Sequence, residues 1–199
     1  MLPRPYRPFS LLAAALLLTA FGSVSDADTP AGATGAAVRD GSHDFDFEMG
    51  KWKMHNRRLL HPLTGSTTWV EFDSYSVGTQ LPGGIGNQDV NRNDYFKKGF
   101  VGLTYRLYDP RTGLWSIYWV DNLSMQGAFV DPVVGKFTGN TGVFEGPFTF
   151  NGKPALGRYT WTVSPKGSAI TAHFEQAFSG DGGKTWEPNF VNDLVPADR

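Results

Sequence analysis

His173 and Glu175 stand two residues apart in the run Ala172 to Phe178 (AHFEQAF). Successive side chains of a strand point to opposite faces, so these two share one face. A histidine beside a carboxylate is a minimal acid/base pair, because the imidazole titrates near neutrality and the carboxylate orients it. One reading is therefore a barrel enzyme, an isomerase or hydrolase with His173 as base and Glu175 holding it. If the flanking strands pair about a turn at Ser164 to Gly167, Arg158 is expected to approach Glu175 or His173. The competing reading is a cross-strand ion pair with a surface histidine, since no nucleophilic companion is evident nearby.

A second constellation comprises Arg58, Arg106, Trp115, Tyr118 and Trp119. They lie in stretches rich in large apolar residues. A buried guanidinium needs a partner, here Glu71, Glu145 or Glu175, or the anionic part of a ligand. Aromatic rings around one or two charged donors describe the lining of a cavity for a small amphipathic molecule. The alternative is a filled core with an internal salt bridge.

The remaining patterns argue against a cofactor or a metal. His43, Asp44, Asp46 and Glu48 are dense in metal-capable groups but follow neither the H-E-x-x-H spacing nor a calcium-loop pattern. They read as a solvated, acidic helical start. Gly83-Gly84-Ile85-Gly86 has no following helix and no lysine in place for a nucleotide phosphate, and reads as a flexible loop at a barrel mouth. Haem would have to find its ligand among His43, His55, His61 and His173. Ser179 to Trp186 (SGDGGKTW) resembles the Asp-box of sialidase-type propellers. The resemblance implies a hairpin turn in which Asp181 binds turn amides and Trp186 packs beneath. One copy builds no propeller and carries no glycosidase chemistry.

The elements that must position these groups are strands. Gly99 to Asn122 reads as a hairpin closed by Asp109-Pro110-Arg111-Thr112-Gly113, with Pro110 setting φ and Gly113 free to take a positive φ. That turn pairs Tyr108 with Trp115, Arg106 with Ile117 and Thr104 with Trp119. One face then carries Arg106 with Trp115 and Trp119, and the other carries Tyr118. The two faces are rival linings, since only one can look inward. Further strands are expected at Trp52 to Leu60, Thr67 to Val77, Phe129 to Phe137, Val143 to Phe150, Leu156 to Val163, Ser168 to Phe178 and Trp186 to Val195. Gln80 to Asp94 reads as a polar connection with a short strand near Ile85 to Val90. The spacing near ten residues is that of an antiparallel sandwich or barrel. No stretch after Ser42 keeps a helical period over three turns.

Composition bounds the rest. The chain has 199 residues, 24 Gly, 13 Pro, 14% aromatics and a net charge of −1. It offers no electrostatic footprint for nucleic acid. With no cysteine there is no disulfide, thiolate metal site or cysteine nucleophile. Arg4 and Arg7, then the apolar run Leu11 to Phe21, then Ser25-Asp26-Ala27, form the pattern of an export signal. The run is shorter than the roughly 20 residues of a membrane span, so no stable membrane insertion of the mature domain is expected. The expected organisation is a signal peptide over 1–27, a disordered linker over 28–42 and one domain over 43–199, secreted or periplasmic.

FDFEMGKWKMHNRRL (Phe45 to Leu59), WSIYWVDN (Trp115 to Asn122), PVVGKF (Pro132 to Phe137) and FEQAFSGDGGKTWEPNF (Phe174 to Phe190) together resemble a family of uncharacterised bacterial domains of unknown function with a calycin-like (lipocalin-like) β-barrel. The resemblance spans Asp44 to about Leu194. It implies an all-β, up-and-down antiparallel barrel of about 8–10 strands with an interior pocket. It implies no activity. The expected function is binding of a small amphipathic ligand in the lumen, with Arg58 and Arg106 on its polar head and Trp115, Trp119 or Tyr118 on its body. The alternatives are the His173/Glu175 enzyme and a homodimeric interaction module.

Overall fold

The computed structural model describes residues 39–124 and 129–197. The expected signal peptide and most of the expected linker lie outside the described residues. The strands are β1 (Gly50–Leu59), β2 (Trp69–Gln80), β3 (Gly86–Asn93), β4 (Phe100–Asp109), β5 (Leu114–Asp121), β6 (Val133–Thr138), β7 (Thr141–Phe150), β8 (Lys153–Val163), β9 (Ala172–Ser179) and β10 (Glu187–Pro196). Each pairs with its neighbour in sequence, and β1 pairs with β10, so the sheet closes into an up-and-down barrel. Closure removes the free sheet edges except where β5 and β6 part beyond Ile117.

The central hairpin has the expected register: Tyr108 faces Trp115, Arg106 faces Ile117 and Thr104 faces Trp119. Thr104, Arg106, Trp115 and Ile117 are buried. Their face looks inward, and Tyr118 therefore points outward, where it meets Phe129 with ring centroids 5.4 Å apart.

One end of the barrel is plugged by the chain that precedes β1. Phe45 is fully buried and touches the rings of Trp115 (5.0 Å), Phe137 (5.1 Å), Trp161 (5.3 Å) and Phe144 (5.5 Å). Trp115 Nε1 donates to the Gly41 carbonyl at 3.1 Å, and Trp52 Nε1 donates to the Glu48 carbonyl at 2.8 Å. The plug crosses the rim so closely that a Cβ on Gly78 would lie 1.9 Å from the Glu48 carbonyl oxygen. Arg39 to Ser42, read as linker from sequence, join this packing: Arg39 pairs with Asp44 at 2.6 Å and the Gly41 amide donates to Tyr108 at 2.8 Å. The acidic start is thus only partly solvated. Asp46 is exposed, whereas Glu48 is 3% exposed.

The glycine-rich loop belongs to this plugged end and not to a mouth. Tyr108 donates its amide to Ile85, and Gln80 reaches Asp46 at 3.3 Å. At the opposite end the Asp-box turn forms as the resemblance implies. Asp181 accepts from the amides of Lys184 and Thr185, both at 3.0 Å, and Trp186 Nε1 donates to the Gly183 carbonyl at 3.1 Å. The Thr185 and Ser179 contacts hold the Asp181 carboxyl well below the usual carboxylate range.

β5 and β6 are joined only from Trp115↔Gly135 to Ile117↔Val133. Beyond Ile117 the wall splits toward the open end, leaving a wide lateral cleft of about 1080 Å³. Trp119, Phe148 and Tyr159 border both this cleft and the lumen.

Candidate functional site

The inward residues of the strands enclose a lumen of about 310 Å³ above the plug. Its composition is divided. β1, β2, β3 and β10 contribute Asn56, Ser74, Asn91, Asn93 and Asn192, while β8 and β9 contribute Tyr159, Trp161 and Phe174. Toward the open end the lining becomes Arg58, Phe72, Phe96, Phe100, Trp119 and Phe190.

The floor is a buried charge cluster. Arg106 Nη2 lies 2.7 Å from Asp89 Oδ1 and 3.3 Å from Glu48 Oε1, and all three side chains are nearly inaccessible. Arg106 Nη1 donates to Asn87 at 3.2 Å, Ser76 donates to Asp89 at 3.0 Å, and Trp161 Nε1 donates to Glu48 at 3.0 Å. The guanidinium also lies 5.0 Å from the Phe45 ring centre. Two carboxylates on one guanidinium leave an excess negative charge if both are ionised. Burial pushes the Glu48 carboxyl up; the Asp89 charge acts in the same direction, while Arg106 and the Trp161 hydrogen bond oppose it. The shift favours the protonated form of Glu48 over that of a free glutamate, which lessens the excess. Burial likewise pushes the Tyr159 hydroxyl up to about 12, so it remains a neutral hydroxyl at neutral pH.

The polar wall is a hydrogen-bonded ladder across three strands. Asn56 Nδ2 and Asn91 Nδ2 each donate to Ser74 Oγ at 3.0 Å, and Asn93 donates to Asn91 at 3.2 Å. β3 is the strand that periodicity reads least well, and this wall is the reason. Its inward positions are Asn87, Asp89, Asn91 and Asn93, so it has no apolar face for alternation to reveal.

The structure separates the sequence candidates. Arg58 and Trp119 line the lumen near its open end, and Arg106 forms the floor. Trp115 belongs to the plugged core. Tyr118 is on the outer face. His173 is also outside, exposed, with Nδ1 2.7 Å from Asp193 Oδ1. Its neighbours Phe174 and Gln176 take the inward positions, so the two-residue period sends both His173 and Glu175 outward. Among the described residues Arg158 forms an ion pair with neither; it pairs with Glu145 at 2.7 Å and lies 3.8 Å from the Trp186 ring centre. No histidine borders the lumen, and no group of three or more metal-capable side chains forms, among the described residues. Glu48, Asn56, Asp89 and Asn192 are among the lumen residues that sequence reasoning passed over as site residues. Neither a family model nor a curated protein matches the chain.

Proposed function

We propose that the protein is an exported, calycin-like barrel that binds a small, partly apolar ligand in its lumen, in the periplasm or outside the cell. Arg58 carries this reading. Its half-buried guanidinium lies 5.3 Å from the Phe96 ring centre at the open end of the cavity, with no acidic partner among the described residues. A half-buried cation over an aromatic ring with no carboxylate beside it is a site for an anion. The ligand places an acidic group at Arg58 and its apolar body against Phe72, Phe100 and Phe190. Arg106 is already committed to Asp89 and Glu48, so it shapes the floor and leaves head-group recognition to Arg58.

The outer wall supports operation in water. Lys53 pairs with Asp73 at 2.9 Å, Arg57 with Glu71 at 3.4 Å, and His55 with Asp73 at 3.0 Å. A ladder of charges is costly on a lipid-facing surface. The His173/Glu175 reading draws no support from the lumen, since both residues lie outside it.

Native mass spectrometry of the protein purified without denaturation tests the proposal. A bound small molecule, reduced in Arg58→Ala at unchanged fold, supports it. A protein that is empty, and that gains no mass with any member of an amphipathic carboxylate set, contradicts it. N-terminal sequencing of the exported chain tests the location: a start near Asp28 is expected, and an intact Met1 contradicts export with cleavage.

A further inference from the structure

Asn56 on β1 and Asn192 on β10 are direct cross-strand partners. Both project into the lumen, and they are 1% and 5% exposed. Asn56 Nδ2 is used by the protein, donating to the carbonyls of Met54 (3.1 Å) and Phe72 (3.0 Å) and to Ser74 Oγ (3.0 Å). Asn56 Oδ1 has no donor among the described residues. The Asn192 side-chain carboxamide makes no hydrogen bond among the described residues, and its Oδ1 is fully buried and unpaired. Native proteins seldom bury an amide oxygen without a partner. At the floor Arg106 Nε is a second buried group without one.

The Asn192 carboxamide has an aromatic residue beside it in the sheet. Asn192 is the cross-strand neighbour of Phe174, and Phe174 packs on Trp161 with ring centroids 4.5 Å apart. A long acyl chain in this space would leave the carboxamides dry and unpaired, which is unfavourable. A flat ring with polar atoms along one edge satisfies both surfaces at once.

We infer that the lumen takes a flat nitrogen heterocycle whose amide-type edge, ring N–H beside C=O, hydrogen-bonds to Asn192 and to Asn56 Oδ1 while its face lies on Phe174. The ring N–H donates to an asparagine oxygen and the ring carbonyl accepts from Asn192 Nδ2. This rests on the lumen-binding reading above and adds a cyclic amide or imide edge at Asn192 and Asn56 to the acidic group placed at Arg58, with lumazine probing the edge alone.

The test is fluorescence titration with lumazine, a two-ring pteridine-dione, against its 1,3-dimethyl derivative, which lacks the ring N–H of the imide edge. The fluorescent amphipath 1-anilinonaphthalene-8-sulfonate serves as a probe of lumen binding in general. Lumazine is expected to bind, and the dimethyl compound to bind at least ~10-fold more weakly, the effect of one hydrogen bond in a desolvated site. Asn192→Leu should lose lumazine to a similar degree. Equal binding of the two lumazines, or an Asn192→Leu variant that binds lumazine as wild type does, overturns the inference. So does binding of the naphthalene probe without lumazine, which leaves lumen binding standing. If neither probe binds, both readings fall. The methylation comparison uses the unaltered protein and does not depend on how the variant folds.

Discussion

Glu48 Oε1 lies 3.3 Å from Arg106 Nη2, inside the plugged end of the barrel. One residue comes from the segment that enters the barrel and the other from the middle of β4. Their contact ties the plug to the wall, and Asp89 on β3 completes it from the same guanidinium nitrogen at 2.7 Å.

Arg106→Leu removes the partner of a carboxylate that is 6% exposed. An uncompensated buried charge of this kind costs about 3–5 kcal/mol. Urea unfolding should show a midpoint lowered accordingly. A variant within about 0.5 kcal/mol of wild type would mean that the cluster does not hold the floor together.

Stability should depend on pH through Glu48. Its carboxyl is raised in the folded protein above the ordinary 4.5, mainly by burial. Above 4.5 the folded state keeps a proton that the unfolded chain has released. The contribution is therefore whole below the ordinary value and declines as pH rises through the folded one. Glu48→Gln, a permanently neutral isostere, should flatten the fall in Tm as pH rises above 4.5. A Glu48→Gln profile parallel to wild type would place the titration elsewhere.

Phe45→Ala empties the centre of the plugged core, where Phe45 is 0% exposed. Phenylalanine-to-alanine changes at such sites cost about 3–5 kcal/mol. Calorimetry should register the loss as a markedly lower Tm. Little change would show that the segment before β1 is dispensable to the barrel.

The hairpin that brings Arg106, Trp115 and Trp119 to one face was legible because turn chemistry and a two-residue period fix register without knowledge of neighbours. The choice of inward face was not, because both faces are apolar or aromatic. β3 was half hidden for the opposite reason: a strand that lines a polar lumen shows no apolar alternation. Glu48 read as a solvated helix-start acid because nothing local says that Phe45 and Phe47 pull its backbone into the barrel. The Arg106 partners were missed for the same reason. Asp89 and Glu48 meet it only once the strands have closed, a contact set by tertiary geometry and invisible to spacing.

A ligand seated in the lumen can be detected directly through the chain's six tryptophans. Trp119 and Trp161 line the lumen, whereas Trp69 and Trp186 lie outside it beside Arg57 and Arg158. In protein labelled with 5-fluorotryptophan, titration with 1-anilinonaphthalene-8-sulfonate followed by fluorine NMR should shift the Trp119 and Trp161 resonances and leave Trp69 and Trp186 in place, each assigned by its Trp→Phe variant. Shifts confined to Trp69 or Trp186, or no saturable shift at all, would contradict a ligand-binding lumen.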